Sequence, residues 1–448
     1  MKKTFLIITL ALIGGILNAQ VPAQWRGIER DGIYTDANLP KSWPAEGPAM
    51  LWSVEGIGKG YSSAVSDGKN IYVTGIKNDT LEVLSCISPE GKMLWQVTIG
   101  PAFTKSFPGA RSTPTVEGDR VYTISSLGVI GCYSASDGKK VWDIDGLKKF
   151  DGVYGTWGVS ESPLVTGDMV IFTPAGPKTT MVALNKLSGE TIWQSKSLND
   201  TGSYVSPKLI HWGGKDIVVQ LINSNLFGVD LANGNILWTF DYGAYMPEKS
   251  LKIWPGGPKT NAITPLFDKG YLYITEGYDH VGVMFQIPDP SSIQHPASEI
   301  QKSGSEVARS EVAKTVVLKP FWTDSVLDCH HGGVLLLNGC IYGANWKDNS
   351  RGNWCCLDWK TGKVNWETTW FTKGPIISDG TMLYCLDEKN GNLGLVRPDP
   401  AKFDLVSSFK LSLGKGPFWA HPSIYNGRLL VRHGDVLMVY NLSSEVAK

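Results

Sequence analysis

The chain has 448 residues, with 42 Lys+Arg balancing 42 Asp+Glu, which excludes a general nucleic-acid binder that needs a basic surface. Its 42% hydrophobic content supports a large core and excludes a disordered chain. With 50 Gly and 17 Trp, the composition points to short strands joined by many turns, an all-β protein.

In chain order, residues 1–19 read as a secretory signal peptide. Lys2 and Lys3 precede an apolar run over 4–17, and Ala19 offers a small residue before Gln20. The run is too short and wrongly flanked for a membrane anchor, no Cys lies near the cleavage point to carry a lipid, and no other stretch reaches the roughly 18 apolar residues of a span. The mature chain, 20–448, is expected to be periplasmic or secreted, as one soluble domain without a membrane span.

The next element, AMLWSVEG (49–56), is a strand around Trp52. From there the sequence repeats. A Gly precedes a Trp by four residues at Gly91/Trp95, Gly138/Trp142, Gly189/Trp193, Gly234/Trp238 and Gly362/Trp366. The Trp spacings are 47, 51, 45 and 128, and the last gap hides a unit ending near Trp322. A small residue sits six before the Gly at Cys132, Ala183, Gly228, Cys356 and Cys385, and five before it at Cys86. Each unit opens with a Ser/Thr-Pro pair or a variant of it, as at Thr113-Pro114, Ser162-Pro163, Ser206-Pro207, Thr264-Pro265, Gly374-Pro375 and His421-Pro422. Hairpin turns of the EGD, TGD, GGK, DKG, SDG and YNG type follow. Four antiparallel strands in 40–50 residues make a propeller blade.

Eight blades are predicted, starting near Tyr61, Arg111, Trp157, Tyr204, Asn261, His330, Lys373 and Trp419. The fifth carries a polar insertion, 291–314, readable as a short helix or a loop. The seventh lacks the Trp and has Leu395 four residues after Gly391. The eighth has only three strands, so 49–56 is expected to supply the fourth, with Trp52 as its Trp. Closing the ring with both termini in one blade removes its open edges. The Trp rings are expected to pack between blades, each covering a turn of the next. Seven Cys leave at least one unpaired within the chain. Cys86, Cys132, Cys356 and Cys385 fill the small-residue slot of a third strand and read as inert buried thiols.

The unit, as in CLDWKTGKVNW (356–366) and ALNKLSGETIW (183–193), resembles the tryptophan-docking repeat of quinoprotein-type, PQQ-like propellers. That family includes pyrroloquinoline quinone (PQQ) dehydrogenases and the outer-membrane assembly factor BamB. The opening AQWRGIERDGIY (23–34) is similar to the start of secreted members, and the resemblance covers 23–448. It implies PQQ as a cofactor, with Ca2+ or another divalent cation. No C-x-x-C-H occurs for a c-type haem, so electrons would leave to a separate acceptor. Some quinoprotein alcohol dehydrogenases carry an adjacent-Cys disulfide; Cys355-Cys356 lies inside a strand, where neighbouring side chains point to opposite faces. No local match to the family's ligands is present, so its catalytic residues are not carried over.

Residues just before each Ser/Thr-Pro pair should converge on the central channel. Three roles are open for them. Glu161, Asn261 and Asp328 are candidate oxygen ligands for a divalent cation. His330, His331 and His421 are candidate transition-metal ligands or general bases, with Arg111 or Lys373 to stabilise an oxyanion or a substrate carboxylate. Trp157, Trp254 and Trp419 are candidate platforms for a sugar ring or a quinone. His330 and His331 are adjacent, so only one faces the axis if the strand is regular. The whole assignment depends on register, because a one-residue slip inverts it. The leading expectation is an exported propeller with a ligand in its channel, a quinoprotein-type oxidoreductase of alcohols or sugars. The alternatives are a scaffold with an outer-membrane partner, a carbohydrate-binding module, and a polysaccharide lyase with a His base and a metal.

Overall fold

The computed structural model describes residues 21–36, 38–246, 260–292 and 315–443. The signal-peptide reading, Trp254 and nearly all of the 291–314 insertion lie outside them. Among the described residues, no helix is long and apolar enough to cross a membrane.

Eight antiparallel sheets follow one another along the chain, over 65–101, 115–145, 164–194, 208–241, 266–324, 334–368, 376–410 and 423–441. They are the blades, numbered one to eight. The strand Met50–Glu55 pairs antiparallel with Val436–Asn441 and completes blade eight, as the sequence predicts. The first strands of blades one to three, and of blades five to seven, meet one another in turn, so the first strands line the axis. The apolar clusters lie between blades. One joins Tyr122 and Trp142 of blade two to Val170, Phe172 and Leu184 of blade three.

The repeat is the adhesive of this ring. Trp95 donates its indole N–H to Ala135 O of the next blade (3.2 Å), Trp142 to Lys186 O (3.0 Å) and Trp193 to Leu231 O (2.9 Å). Trp52 does the same across the closure, to Pro89 O of blade one (2.8 Å). Each of these rings lies on the repeat Gly of the blade it reaches. A Cβ at Gly138 would stand 2.6 Å from Trp95, and one at Gly234 would stand 2.6 Å from Trp193. Both glycines also have positive φ (71° and 78°), so the position excludes a side chain twice over. The small residue of the third strand is explained by pairing: Cys86, Cys132, Ala183, Gly228 and Cys356 each lie directly opposite their own blade's Trp.

Three details depart from the sequence expectation. In blade seven, Cys385 belongs to the second strand, Leu383–Leu386, and Leu395 to the third, Asn392–Arg397. The Gly391 turn therefore precedes the third strand, and Phe418 covers it in place of a Trp. Blade four gains a fifth strand, Val316–Val317, parallel to Ile236–Asp241. It buries Leu237, while Leu51, Leu94 and Ile192, each also just before a Trp, stay exposed. Finally, 21–36 contacts the innermost strands on the face where those strands end, pairing with Val116 of blade two and Ser378 of blade seven. All seven Cys are buried and unbonded, Cys355 and Cys356 included.

Candidate functional site

At the opposite end, where the innermost strands begin, a cavity of about 370 Å3 opens on the axis. Its walls come from the segments leading into the blades. An extended chain turns alternate side chains to opposite sides, and that parity decides who faces the cavity. Counting back from the Pro that opens blades two to five and eight, odd positions line it: Ser162 and Ser160, Ser206 and Tyr204, His421 and Trp419, Arg111, Ala262 and Thr260. Trp157 joins them from beyond Gly158, whose φ of 79° breaks the alternation.

Glu161, Asn261 and Lys373 fall on even positions and turn away, so the sequence placed them one residue out of register. Glu161 accepts from Thr173 Oγ1 (3.2 Å) between blades three and four, and burial pushes its carboxyl up to about 8. The Asn261 amide donates to the Ile222 and Asn223 carbonyls (2.8 and 2.9 Å). Lys373 is buried against Glu388 Oε1, behind the wall. Asp328 is also outside the lining, accepting from the amides of Asp279 and Trp346 (both 3.2 Å). The three candidate cation ligands thus serve separate sets of backbone or hydroxyl partners. Among the described residues, no three His, Cys, Asp or Glu side chains gather to hold a metal.

Both His330 and His331 line the cavity. They lie in irregular chain ahead of the strand Val334–Leu337, so strand alternation does not separate them. Their rings are 4.3 Å apart, and His331 meets Trp419 edge-on at 5.2 Å. His330 Nε2 bonds the Tyr278 hydroxyl (2.8 Å). His331 Nε2 stands 3.4 Å from Glu388 Oε2 without hydrogen-bond geometry. Burial lowers both imidazoles, His330 to about 3, so both are neutral.

His421 is committed to the structure. Arg26 Nη1 can only donate, so His421 Nδ1 accepts its bond (2.8 Å). Nε2 then carries the proton and donates to His331 O (3.0 Å). With both nitrogens occupied and burial holding it near 3, His421 is closed to the base role that the sequence offered it.

The segment under the cavity explains this commitment. Arg26 also donates to the Ile376 and Val334 carbonyls (3.1 and 2.7 Å), tying blades six, seven and eight. Arg30 donates to the carbonyls of Ser162 (3.1 Å), Pro207 (3.0 Å) and Pro163, tying blades three and four. The two arginines plug the channel, and Trp25 between them and the cavity packs on His421 at 4.7 Å. The sequence showed the segment and missed its role, because a plug is a tertiary relation. It also missed Phe107, Tyr278 and Asn349, which reach the cavity from loops that carry no repeat.

What remains is an aromatic chamber with one cation. Tyr61 and Phe107 flank Trp419 (4.9 and 5.5 Å), and Trp157 faces Tyr204 (5.6 Å). Arg111 lies 5.5 Å over the Tyr61 ring and is anchored by the Gly109 and Phe107 carbonyls (3.0 and 2.7 Å). It is the only Lys or Arg among the described lining residues.

Comparison with known proteins agrees with this architecture. The family profile described as outer membrane protein assembly factor BamB matches residues 45–142 and 80–368, well over half the chain. A BamB of Shewanella oneidensis is 24% identical over 193 residues, covering 41% of this chain and 44% of that protein, so less than half of each is matched. The crystal structure of BamB from Moraxella catarrhalis superposes with a TM-score of 0.59 at 14% identity, covering 89% of this chain and 99% of the other. The computationally designed Ika8 protein does so at 0.57 with 9% identity, over 88% of this chain and 99% of its own. The docking repeat, the eight closed blades and the profile match converge: the chain belongs to the PQQ-like β-propeller family of the outer membrane protein assembly factor BamB.

Proposed function

We propose that this chain is an exported propeller that binds a carbohydrate ring carrying one carboxylate in its channel cavity. The observation that carries the reading is the ring of aromatic faces, Trp25, Tyr61, Trp157, Tyr204 and Trp419, around the single cation Arg111. The apolar face of a sugar packs on such rings, and a guanidinium matches a carboxylate. A volume of about 370 Å3 suits a mono- or disaccharide unit. Export rests on the signal-peptide pattern of 1–19.

The described residues do not fit a quinone with its divalent cation. Glu161, Asn261 and Asp328 are engaged elsewhere, and no acidic side chain among the described residues lines the cavity. The experiment is a titration of the mature chain, 20–448, followed by Trp fluorescence and melting temperature. Methyl glucuronide and methyl galacturonide should saturate and raise the melting temperature by linkage, with methyl glucoside weaker. Binding of PQQ with Ca2+ and dye reduction by alcohols, with no response to uronides, would overturn the reading and reinstate a dehydrogenase.

Family membership favours a second reading, a scaffold in outer-membrane protein assembly. A scaffold needs no ligand in the cavity. If a strain lacking this protein has an assembly defect, full rescue by an Arg111→Ala, Trp419→Ala variant would favour that reading.

A further inference from the structure

The wall behind Trp419 holds four buried polar atoms with no hydrogen-bond partner among the described residues: His330 Nδ1, His331 Nδ1 and Nε2, and Glu388 Oε2. Each such orphan is costly, and native proteins rarely tolerate a cluster of them without water or a ligand. They sit together. The two imidazoles are 4.3 Å apart, and Glu388 Oε2 is 3.4 Å from His331 Nε2. Glu388 is itself fixed from behind, its Oε1 taking the Lys373 ammonium.

A neutral imidazole has one donor and one acceptor nitrogen, so His331 offers both. His330, also on the cavity wall, adds a further position at Nδ1. A half-turn of the His331 ring exchanges its nitrogens with its carbons at little steric cost. The side chain remains 22% exposed and lines the cavity, so that turn presents nitrogen to a ligand. Quinone and carboxylate oxygens only accept and would leave the acceptors of this wall unmet. A hydroxyl both donates and accepts.

We propose that His330 and His331 form the hydroxyl-recognising pole of the cavity and select ligands with a free diol. The assignment rests on the carbohydrate reading above and names a second contact to that ligand, besides Arg111. Trp419 then holds the ring face while the pole reads its edge.

The test compares methyl glucuronide with its 2-, 3- and 4-deoxy analogues by calorimetry. Wild type should bind one or two analogues about tenfold more weakly than the parent, the value of one or two hydrogen bonds. In His331→Phe, which keeps the ring shape against Trp419, parent and analogue should bind alike, at the level of the analogue. Persistence of the tenfold preference in that variant would overturn the proposal. So would equal binding of all analogues by wild type, which would assign the orphan atoms to water. If His331→Phe does not fold, the imidazole 15N resonances of wild type decide. They should shift with the parent and not with the weak analogue, and no shift with either refutes the pole. Failure of every uronide to bind would instead refute the carbohydrate reading itself.

Discussion

Replacing Trp193 by Ala tests whether the docking repeat holds the ring together. Trp193 is 8% exposed, lies on Gly234 of the next blade and donates to Leu231 O at 2.9 Å. Truncating a buried Trp costs about 3–5 kcal/mol, and the unpaired carbonyl adds about 1 kcal/mol. Unfolding entropy of about 2.1 cal/mol/K per residue, over roughly 430 mature residues, amounts to about 0.9 kcal/mol/K. The melting temperature should therefore fall by about 4–7 °C in a calorimetric or circular-dichroism scan. Trp193→Phe keeps much of the packing and loses only the hydrogen bond, so it should fall by about 1–3 °C. Leu94→Ala is the control: its side chain is 51% exposed on an outer strand and its loss should stay within about 0.5 kcal/mol. A Trp193→Ala protein that melts within a degree of wild type, or a Leu94→Ala protein equally destabilised, would refute docking as the source of cohesion.

Other outcomes follow from the same structure. Arg111→Ala should weaken uronide binding by about 10–100-fold, the value of a charged hydrogen bond, and leave a neutral glycoside unchanged; equal loss for both would remove Arg111 from carboxylate recognition. Glu276 is buried, with Oε1 accepting from the Thr260 amide (2.8 Å) and Oε2 without a partner among the described residues, and burial raises its carboxyl to about 8. The folded state then holds a proton that the unfolded chain releases near 4.5, so stability should decline as pH rises from about 5 through 8. Glu276→Gln should flatten part of that decline, and an unchanged slope would show that Glu276 does not titrate there. The seven buried thiols should resist a thiol reagent in the native state and all react in denaturant. Five reacting thiols would instead reveal a bond between Cys355 and Cys356.

Much of the architecture is written in local pattern. The Gly-to-Trp interval, the small residue opposite the Trp and the Ser/Thr-Pro openings are short-range features that recur in most blades. Eight blades, and the closure through Trp52, can therefore be read before any coordinates exist. Composition likewise marks the chain as all-β.

The site obeys a different logic. Which face of an entering segment meets the axis turns on a parity of one residue, and the sequence alone put Glu161, Asn261 and Lys373 on the wrong side of it. Arg111, Trp157 and Trp419 were legible because large or charged residues stand out beside the repeat, while Phe107, Tyr278 and Asn349 come from loops without periodicity. Only the tertiary structure showed that Arg26 crosses the channel to occupy His421 and that neither nitrogen of His331 has a hydrogen-bond partner among the described residues, since those facts depend on side chains far apart in the chain. The sequence by itself determined how the blades are built and joined, because each docking contact repeats one local motif. The tertiary structure decided what the channel can hold, because its lining is assembled once, from single residues of seven different blades and the segment that plugs them.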